Sequence, residues 1–337
     1  MPARFDASDC PVPAWLPEGH SQTIVGARWG SHLRVSFQRE RVDTPDGDFL
    51  DFDWATPGNQ PVAALAAQDA EARKALVLFH GLEGSSASPY AQSIAHHFRA
   101  RGWVVVVPHF RGCSGTPNRL PRAYHSGDSG DVEFMLSTAR ARLPRAAWYA
   151  AGVSLGGNAL AKYLGESGAQ AGWLAACAAV SAPLDLTAGG HNLGRGLVNR
   201  EIYTRMFMRT LRNKVLDKAR RFPAIIDVMR VAESRDLYEF DDAYTAPVHG
   251  FAGVADYWTR ASALPWLPGI AVPTLLLNAR NDPFLPGAVL PGVHQASDQV
   301  LLHQPARGGH AVFPAGRLRP HLNWLPRRLE RFFTTRQ

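Results

Sequence analysis

Four short stretches of uninterrupted apolar residues, three of them followed by a segment of helical spacing, most constrain what this chain can fold into. Ala75–Phe79, Trp103–Val107, Trp148–Gly152 and Leu174–Ser181 read as strands. Tyr90–Arg101, Asp128–Leu143 and Leu155–Leu164 carry the helical pattern between them. Strands apolar on both faces, alternating with amphipathic helices, predict an α/β fold with a mostly parallel sheet covered on both sides. Ahead of this alternation, Leu33–Val42 and Phe49–Trp54 flank the turn signal Pro45-Asp46-Gly47 and predict an antiparallel hairpin at one sheet edge. Pro57–Lys74 reads as a loop with a short Ala-rich piece.

The alternation stops near Leu184 and resumes near Pro268. Between them the patterns are helical (Gly196–Arg221, Phe222–Arg235) with no convincing strand. The strands Thr274–Asn278 and Gln299–His303 then resume the sheet, with a short helix near Leu290 and a final helix around Leu318–Phe333. A helical block that interrupts a continuing sheet predicts a lid insertion, at about 184–268, inside one domain spanning 33–337. Residues 1–32, with Pro11, Pro13, Trp15, Leu16 and Pro17, read as an ordered arm packed on that domain, because aromatic and apolar residues need cover.

The 337 residues, 46% hydrophobic and 19% charged, fit a soluble globular enzyme. No apolar run approaches the roughly 20 residues of a membrane span, and the N-terminus lacks a signal-peptide pattern. Three cysteines, Cys10, Cys113 and Cys177, show no metal-like spacing and fit a reducing cytoplasm. The net charge of +7 rests almost wholly on arginine, and no nucleic-acid-binding motif accompanies it, so no nucleic-acid partner is expected. His109, His125, Asp128 and Asp131 match no metal-site spacing, and neither metal nor cofactor is expected. The oligomeric state is not legible.

Gly152-Val153-Ser154-Leu155-Gly156 is the strongest local signal. The pattern G-x-S-x-G between a strand and a helix is a nucleophile elbow: a sharp, strained turn that exposes the serine and tolerates only small residues two positions to either side. A serine hydroxyl is a weak nucleophile and needs a base. Chain order serine–acid–histidine selects His310, in the loop after the last strand, over His294, His303 and His321. Asp282, just past Thr274–Asn278, is the expected acid, with Asp185 as its rival. Leu155 and Leu82, the latter in His80-Gly81-Leu82-Glu83-Gly84, are the expected backbone donors to an oxyanion. His80 and Arg111 are expected to hold their loops rather than react. The basic helix through Arg205, Arg209 and Lys218 is expected to pack its apolar face inward, although weak contact with a membrane surface is compatible with it. These residues predict a carboxylester hydrolase acting on a small-molecule ester. An acyltransferase with the same triad, or a non-catalytic binding protein on the fold, are the alternatives.

Longer segments carry a resemblance. Trp15-Leu16-Pro17-Glu18-Gly19-His20-Ser21-Gln22-Thr23, His80-Gly81-Leu82-Glu83-Gly84, Arg111-Gly112-Cys113-Ser114-Gly115, Tyr124-His125-Ser126-Gly127-Asp128, Phe240-Asp241-Asp242, Thr245-Ala246-Pro247, Asp256-Tyr257-Trp258 and Asn281-Asp282-Pro283-Phe284 span nearly the whole chain. Together they make it similar to the YheT-like α/β-hydrolases, related to the plant embryogenesis-associated hydrolases. That resemblance implies an α/β-hydrolase fold and cleavage of short-chain esters through Ser154, Asp282 and His310. Eukaryotic relatives are associated with lipid or phospholipid substrates, and often carry an N-terminal membrane anchor of a kind this sequence lacks.

Overall fold

A computed structural model describes residues 2–30, 33–67 and 73–335. In chain order its elements are β1 (Arg4–Asp6), α1 (Gly19–Trp29), β2 (Gln38–Asp43), β3 (Phe49–Ala55), α2 (Val62–Ala67), β4 (Lys74–Phe79), α3 (Pro89–Arg99) and β5 (Val104–Pro108). There follow α4 (Ser129–Arg142), β6 (Ala147–Val153), α5 (Leu155–Ser167) and β7 (Leu174–Val180). A helical block comes next: α6 (Leu186–Leu193), a π-helical turn (Asn199–Thr204) running into α7 (Arg205–Ala219), α8 (Val228–Glu233), α9 (Leu237–Phe240), α10 (Ala246–Val248) and α11 (Val254–Ala261). The chain then forms β8 (Thr274–Leu277), β9 (Val300–His303) and α12 (Trp324–Thr334).

The nine strands form one sheet in the order β1-β9-β8-β7-β6-β4-β5-β3-β2. Every pairing from β1 to β5 is parallel; at the other edge β3 pairs antiparallel with β5 and β2 antiparallel with β3, so β3 alone runs against the rest. The all-apolar strands divide their side chains between two cores, as a two-residue period requires. Val77, Phe79, Val106 and Ala150 face α4 and α5. Leu78, Val107, Ala151 and Val153 face α3 and α12, where Ile94, Phe98, Leu329 and Phe333 cover them.

Three boundaries differ from the sequence pattern. The hairpin strand begins at Gln38 rather than Leu33, because the Val35 N–H is taken by the side chain of Gln92 at 2.6 Å instead of a neighbouring strand. The last helix begins at Trp324, after residues 318–323 have formed turns and a short bridge between Ala315 and His321. The stretch after Pro57 contains α2, and part of it, residues 68–72, lies outside the described residues. Residues 2–30 contribute an unforeseen edge strand and the helix α1. Among the described residues, no helix is long and apolar enough to cross a membrane.

The parallel strands end on one side of the sheet, and their C-terminal loops converge there. In open α/β sheets such strand ends form the natural ligand crevice. The helical block lies over this crevice, with apolar clusters of its own around Met208, Leu211, Val215, Phe240 and Tyr244, and around Val254, Tyr257 and Trp258.

Candidate active site

Ser154 sits between β6 and α5 with φ 55° and ψ −121°, a strained conformation for a residue bearing a side chain. Its neighbours explain how the strain persists. The Ser154 N–H donates to Val180 O on β7 at 2.8 Å, and its carbonyl accepts from Gly157 and Asn158 in the first turn of α5. A Cβ on Gly152 would lie 2.2 Å from Gly156 O, and one on Gly156 would lie 2.5 Å from His80 O. Both positions admit only glycine, because the turn presses against its own helix and against the end of β4.

His310 follows β9 in a loop where Gly309 takes φ 63°. Its Nε2 lies 2.9 Å from Ser154 Oγ, and its Nδ1 lies 2.8 Å from Asp282 Oδ2. Asp282 stands after β8, buried, and its other oxygen accepts the Phe284 N–H at 2.8 Å. With Nδ1–H donating to the carboxylate, Nε2 is left to accept the serine proton, the arrangement a general base requires. The Phe284 ring stacks on the imidazole at 4.0 Å between centroids and shields that face from solvent.

The rival residues lie elsewhere. Asp185 caps α6, accepting the Ala188 N–H at 3.0 Å. His303 bonds to Ser8 O at 2.7 Å and receives the Arg328 guanidinium at 3.0 Å. His294 is exposed, and the backbone of His321 bridges Ala315. Arg111 grips Asp131 with two hydrogen bonds of 2.7 and 2.8 Å and reaches Asp48 at 3.2 Å, so it ties its loop to the domain. His109 bonds to Asp53 at 2.8 Å, Asp128 caps α4 and pairs with Arg122, and His125 packs edge-on against His249, Phe251 and Tyr257.

The loop after β4 crosses close to the serine: a Cβ on Gly81 would lie 3.1 Å from Ser154 Cβ. The His80 Nε2 accepts the Phe110 N–H at 3.1 Å, which leaves Nδ1 protonated and donating to Gly81 O at 2.8 Å. Burial, with His109 nearby, pushes this imidazole down to about 3, so it stays neutral. Gly81 O also accepts the Gly84 N–H at 2.9 Å. In a trans peptide the N–H opposes the C=O, so the Leu82 N–H is held facing away from both. Among the described residues, the N–H groups of Leu82 and Leu155 have no protein acceptor.

Sequence reasoning missed the part of the site supplied by α1. Glu18 caps this helix, accepting from His20 and Ser21 N–H, and α1 turns a face of Gly19, Gln22, Thr23 and Gly26 inward. Thr23 Oγ1 accepts the His310 N–H at 2.9 Å. Gln22 Oε1 accepts both Gly308 N–H and Asn281 Nδ2–H at 2.9 Å, so one buried amide ties the acid loop to the histidine loop. The signal was the run Gly19–Thr23 itself, with two polar residues on what becomes the buried face.

A cavity of about 650 Å³ opens at Ser154, Leu155 and His310 and extends beneath the helical block. Its walls are largely apolar, with Leu186, Leu193, Phe207, Leu211, Leu237 and Trp258 among them. Met208, Leu211 and Val215 bury the apolar face of α7, while Lys214 and Lys218 of the same helix border the cavity. Asp241 also faces it, accepting from Thr245 Oγ1 at 2.6 Å and Trp258 Nε1 at 2.8 Å, and burial pushes its carboxyl up to about 6.

Comparison with known proteins bears on the fold that carries this site. A family model described as alpha/beta hydrolase fold matches residues 74–316. YheT of Escherichia coli (strain K12), a protein named as an esterase, is 36% identical over 318 residues, covering 94% of this chain and 90% of the relative. Phospholipase ABHD3 of Homo sapiens is 29% identical over 322 residues, covering 93% of this chain and 77% of the relative. Among solved structures, Est1E from Butyrivibrio proteoclasticus with bound ferulic acid aligns with a TM-score of 0.55 at 14% identity, over 87% of this chain and 97% of that one. This last likeness is one of fold.

Proposed function

Because this chain belongs to the α/β-hydrolase fold family, on its YheT-like branch, we propose that it is a serine esterase cleaving carboxylic esters by two-step acyl transfer at Ser154. The observation that carries the reading is the unbroken hydrogen-bonded line from Asp282 through His310 to Ser154, with links of 2.8 and 2.9 Å. His310 Nε2 takes the proton as Ser154 Oγ attacks the ester carbonyl, and the Asp282 carboxylate stabilises the imidazolium that forms. The oxyanion settles between the N–H groups of Leu82 and Leu155. The latter heads α5, where unpaired amides and the helix dipole favour negative charge. His310 then protonates the leaving alcohol. A water deprotonated by the same imidazole releases the acid and restores the serine.

The cavity supports a substrate class. Its volume of about 650 Å³ is in the range of small-ligand pockets, and its apolar walls suit a short-to-medium acyl chain. YheT is named as an esterase and ABHD3 as a phospholipase, both in keeping with ester cleavage. Two measurements test the proposal together: hydrolysis of p-nitrophenyl esters of rising chain length, and labelling by a fluorophosphonate. Ser154→Ala should abolish labelling and lower turnover on the order of 10⁴-fold or more. Labelling that persists in Ser154→Ala would sink the assignment.

A further inference from the structure

We propose that Glu83 is a positioning residue for the oxyanion hole, and that Lys214 of the helical block is the charge that keeps it in place. The inference rests on the reading of Ser154 as nucleophile and of the Leu82 N–H as oxyanion donor. Leu82 is fixed from both sides, and the two sides answer to different parts of the molecule. On its N-terminal side, the Gly81 carbonyl is gripped by His80 and Gly84, all within the loop after β4. On its C-terminal side stands Glu83, whose backbone takes φ 55°, a left-handed conformation unfavourable for a residue with a side chain.

What holds Glu83 there is a clasp. Its N–H donates to Tyr124 Oη at 3.0 Å, and the Tyr124 hydroxyl donates back to Glu83 Oε1 at 2.9 Å. The second oxygen, Oε2, receives Lys214 Nζ at 2.8 Å. Only 7% of the Glu83 side chain is exposed, against 44% for Lys214. Cys113 Sγ is the next neighbour, 4.0 Å from the carboxylate and 3.8 Å from the ammonium. Burial pushes its thiol up to about 12, so it adds no charge. Lys214 is therefore the cation that balances an enclosed carboxylate, and it comes from α7, across the cavity.

An enclosed carboxylate stripped of its cation is no longer compensated for its burial and swings toward water. That movement releases the Tyr124 clasp and with it the left-handed turn at Glu83, and the Leu82 N–H loses its fixed direction. The loss falls on the transition state, because the oxyanion forms only there and the ground-state ester makes little use of the hole. A salt bridge that merely tethered α7 would behave otherwise. It would change stability or substrate entry and leave the balance between ground state and transition state alone.

The test uses the full chain with Lys214→Met, Glu83→Gln, the double variant and Lys214→Arg, each assayed for kcat and KM on the preferred p-nitrophenyl ester. Inhibition by a trifluoromethyl ketone, whose adduct carries an oxyanion, is measured in parallel. Lys214→Met and Glu83→Gln are each expected to lower kcat about tenfold or more with KM within about twofold, and to weaken the ketone by the same factor. The double variant should fall little further than either single one, and Lys214→Arg should recover most of the activity. Should Lys214→Met fail to fold, Tyr124→Phe opens the same clasp and carries the same expectation. Unchanged kcat, an effect on KM alone, or losses that simply add would overturn the inference. Fluorophosphonate labelling of Ser154→Ala would instead overturn the reading on which it rests.

Discussion

Replacing Gln22 by methionine isolates what one buried amide does for the proposed triad. The two side chains have similar length, and Gln22 is fully buried, so the change removes polar atoms and leaves the packing nearly intact. Three hydrogen bonds disappear: Gly308 N–H and Asn281 Nδ2–H to Oε1, each 2.9 Å, and Nε2–H to Leu16 O at 3.0 Å. Their consequences differ. The Leu16 carbonyl keeps the Arg307 guanidinium as a partner, so its loss is small. Asn281 still accepts from Gly309 N–H through its oxygen. Gly308 N–H has no other acceptor among the described residues and is left unpaired in the interior. An orphaned buried N–H costs about 1–3 kcal/mol, and each of the other two bonds about 0.5–1, so the sum is about 3 kcal/mol. For a chain of this size that is a fall in Tm of roughly 4 °C. Activity should fall as well, because the loops carrying His310 and Asp282 share that one oxygen, and small misplacements of catalytic groups are expensive. Thermal unfolding and the rate of fluorophosphonate labelling read the two effects, with a labelling rate about tenfold slower expected. A Tm within 1 °C of wild type together with an unchanged labelling rate would refute the reasoning.

Two further outcomes follow from the same geometry. Asp185→Ala removes only the cap of α6 and should cost about 1 kcal/mol of stability with turnover unchanged, whereas Asp282→Ala should lower turnover on the order of 10⁴-fold; the reverse result would move the acid to Asp185. Asp241 carries a carboxyl raised from 3.8 to about 6, so its contribution to stability is full below the lower value and is lost as pH rises through the upper one. Relative to Asp241→Asn, the wild type should lose about 2 kcal/mol of stability between roughly pH 4 and pH 7, as read by urea unfolding; a difference independent of pH would show that the carboxylate is not penalised by burial.

Much of this architecture was legible before any coordinates. Short, continuous and β-branched apolar runs such as Val104–Val107 read as strands covered on both faces, and Gly152 and Gly156 announce a turn too tight for a side chain. The elbow motif selected the serine, and chain order with placement after the late strands selected the acid and the histidine, three side chains that the fold brings within hydrogen-bond distance. What stayed hidden has a common physical cause. β1 is three residues long, too short for any periodicity, and α1 buries glycine, glutamine and threonine rather than an apolar stripe. The partners of Gln22 and Thr23 lie as many as 286 and 287 residues away, and local pattern contains nothing about such pairs. The Glu83–Lys214 contact was invisible for the same reason. Lys214 looks like any solvated charge on an amphipathic helix until that helix is laid over the loop after β4.

The seat of His310 on Thr23 joins nearly the first element of the chain to nearly the last, and this has a consequence for how the molecule comes into being. Contacts so far apart along the polypeptide form late, since the intervening chain must already be ordered before closing the loop becomes favourable. During synthesis, the elbow at Ser154 emerges long before its base. On the proposed triad, Ser154 therefore stays without its base until the segment carrying His310 has been made and has settled on α1.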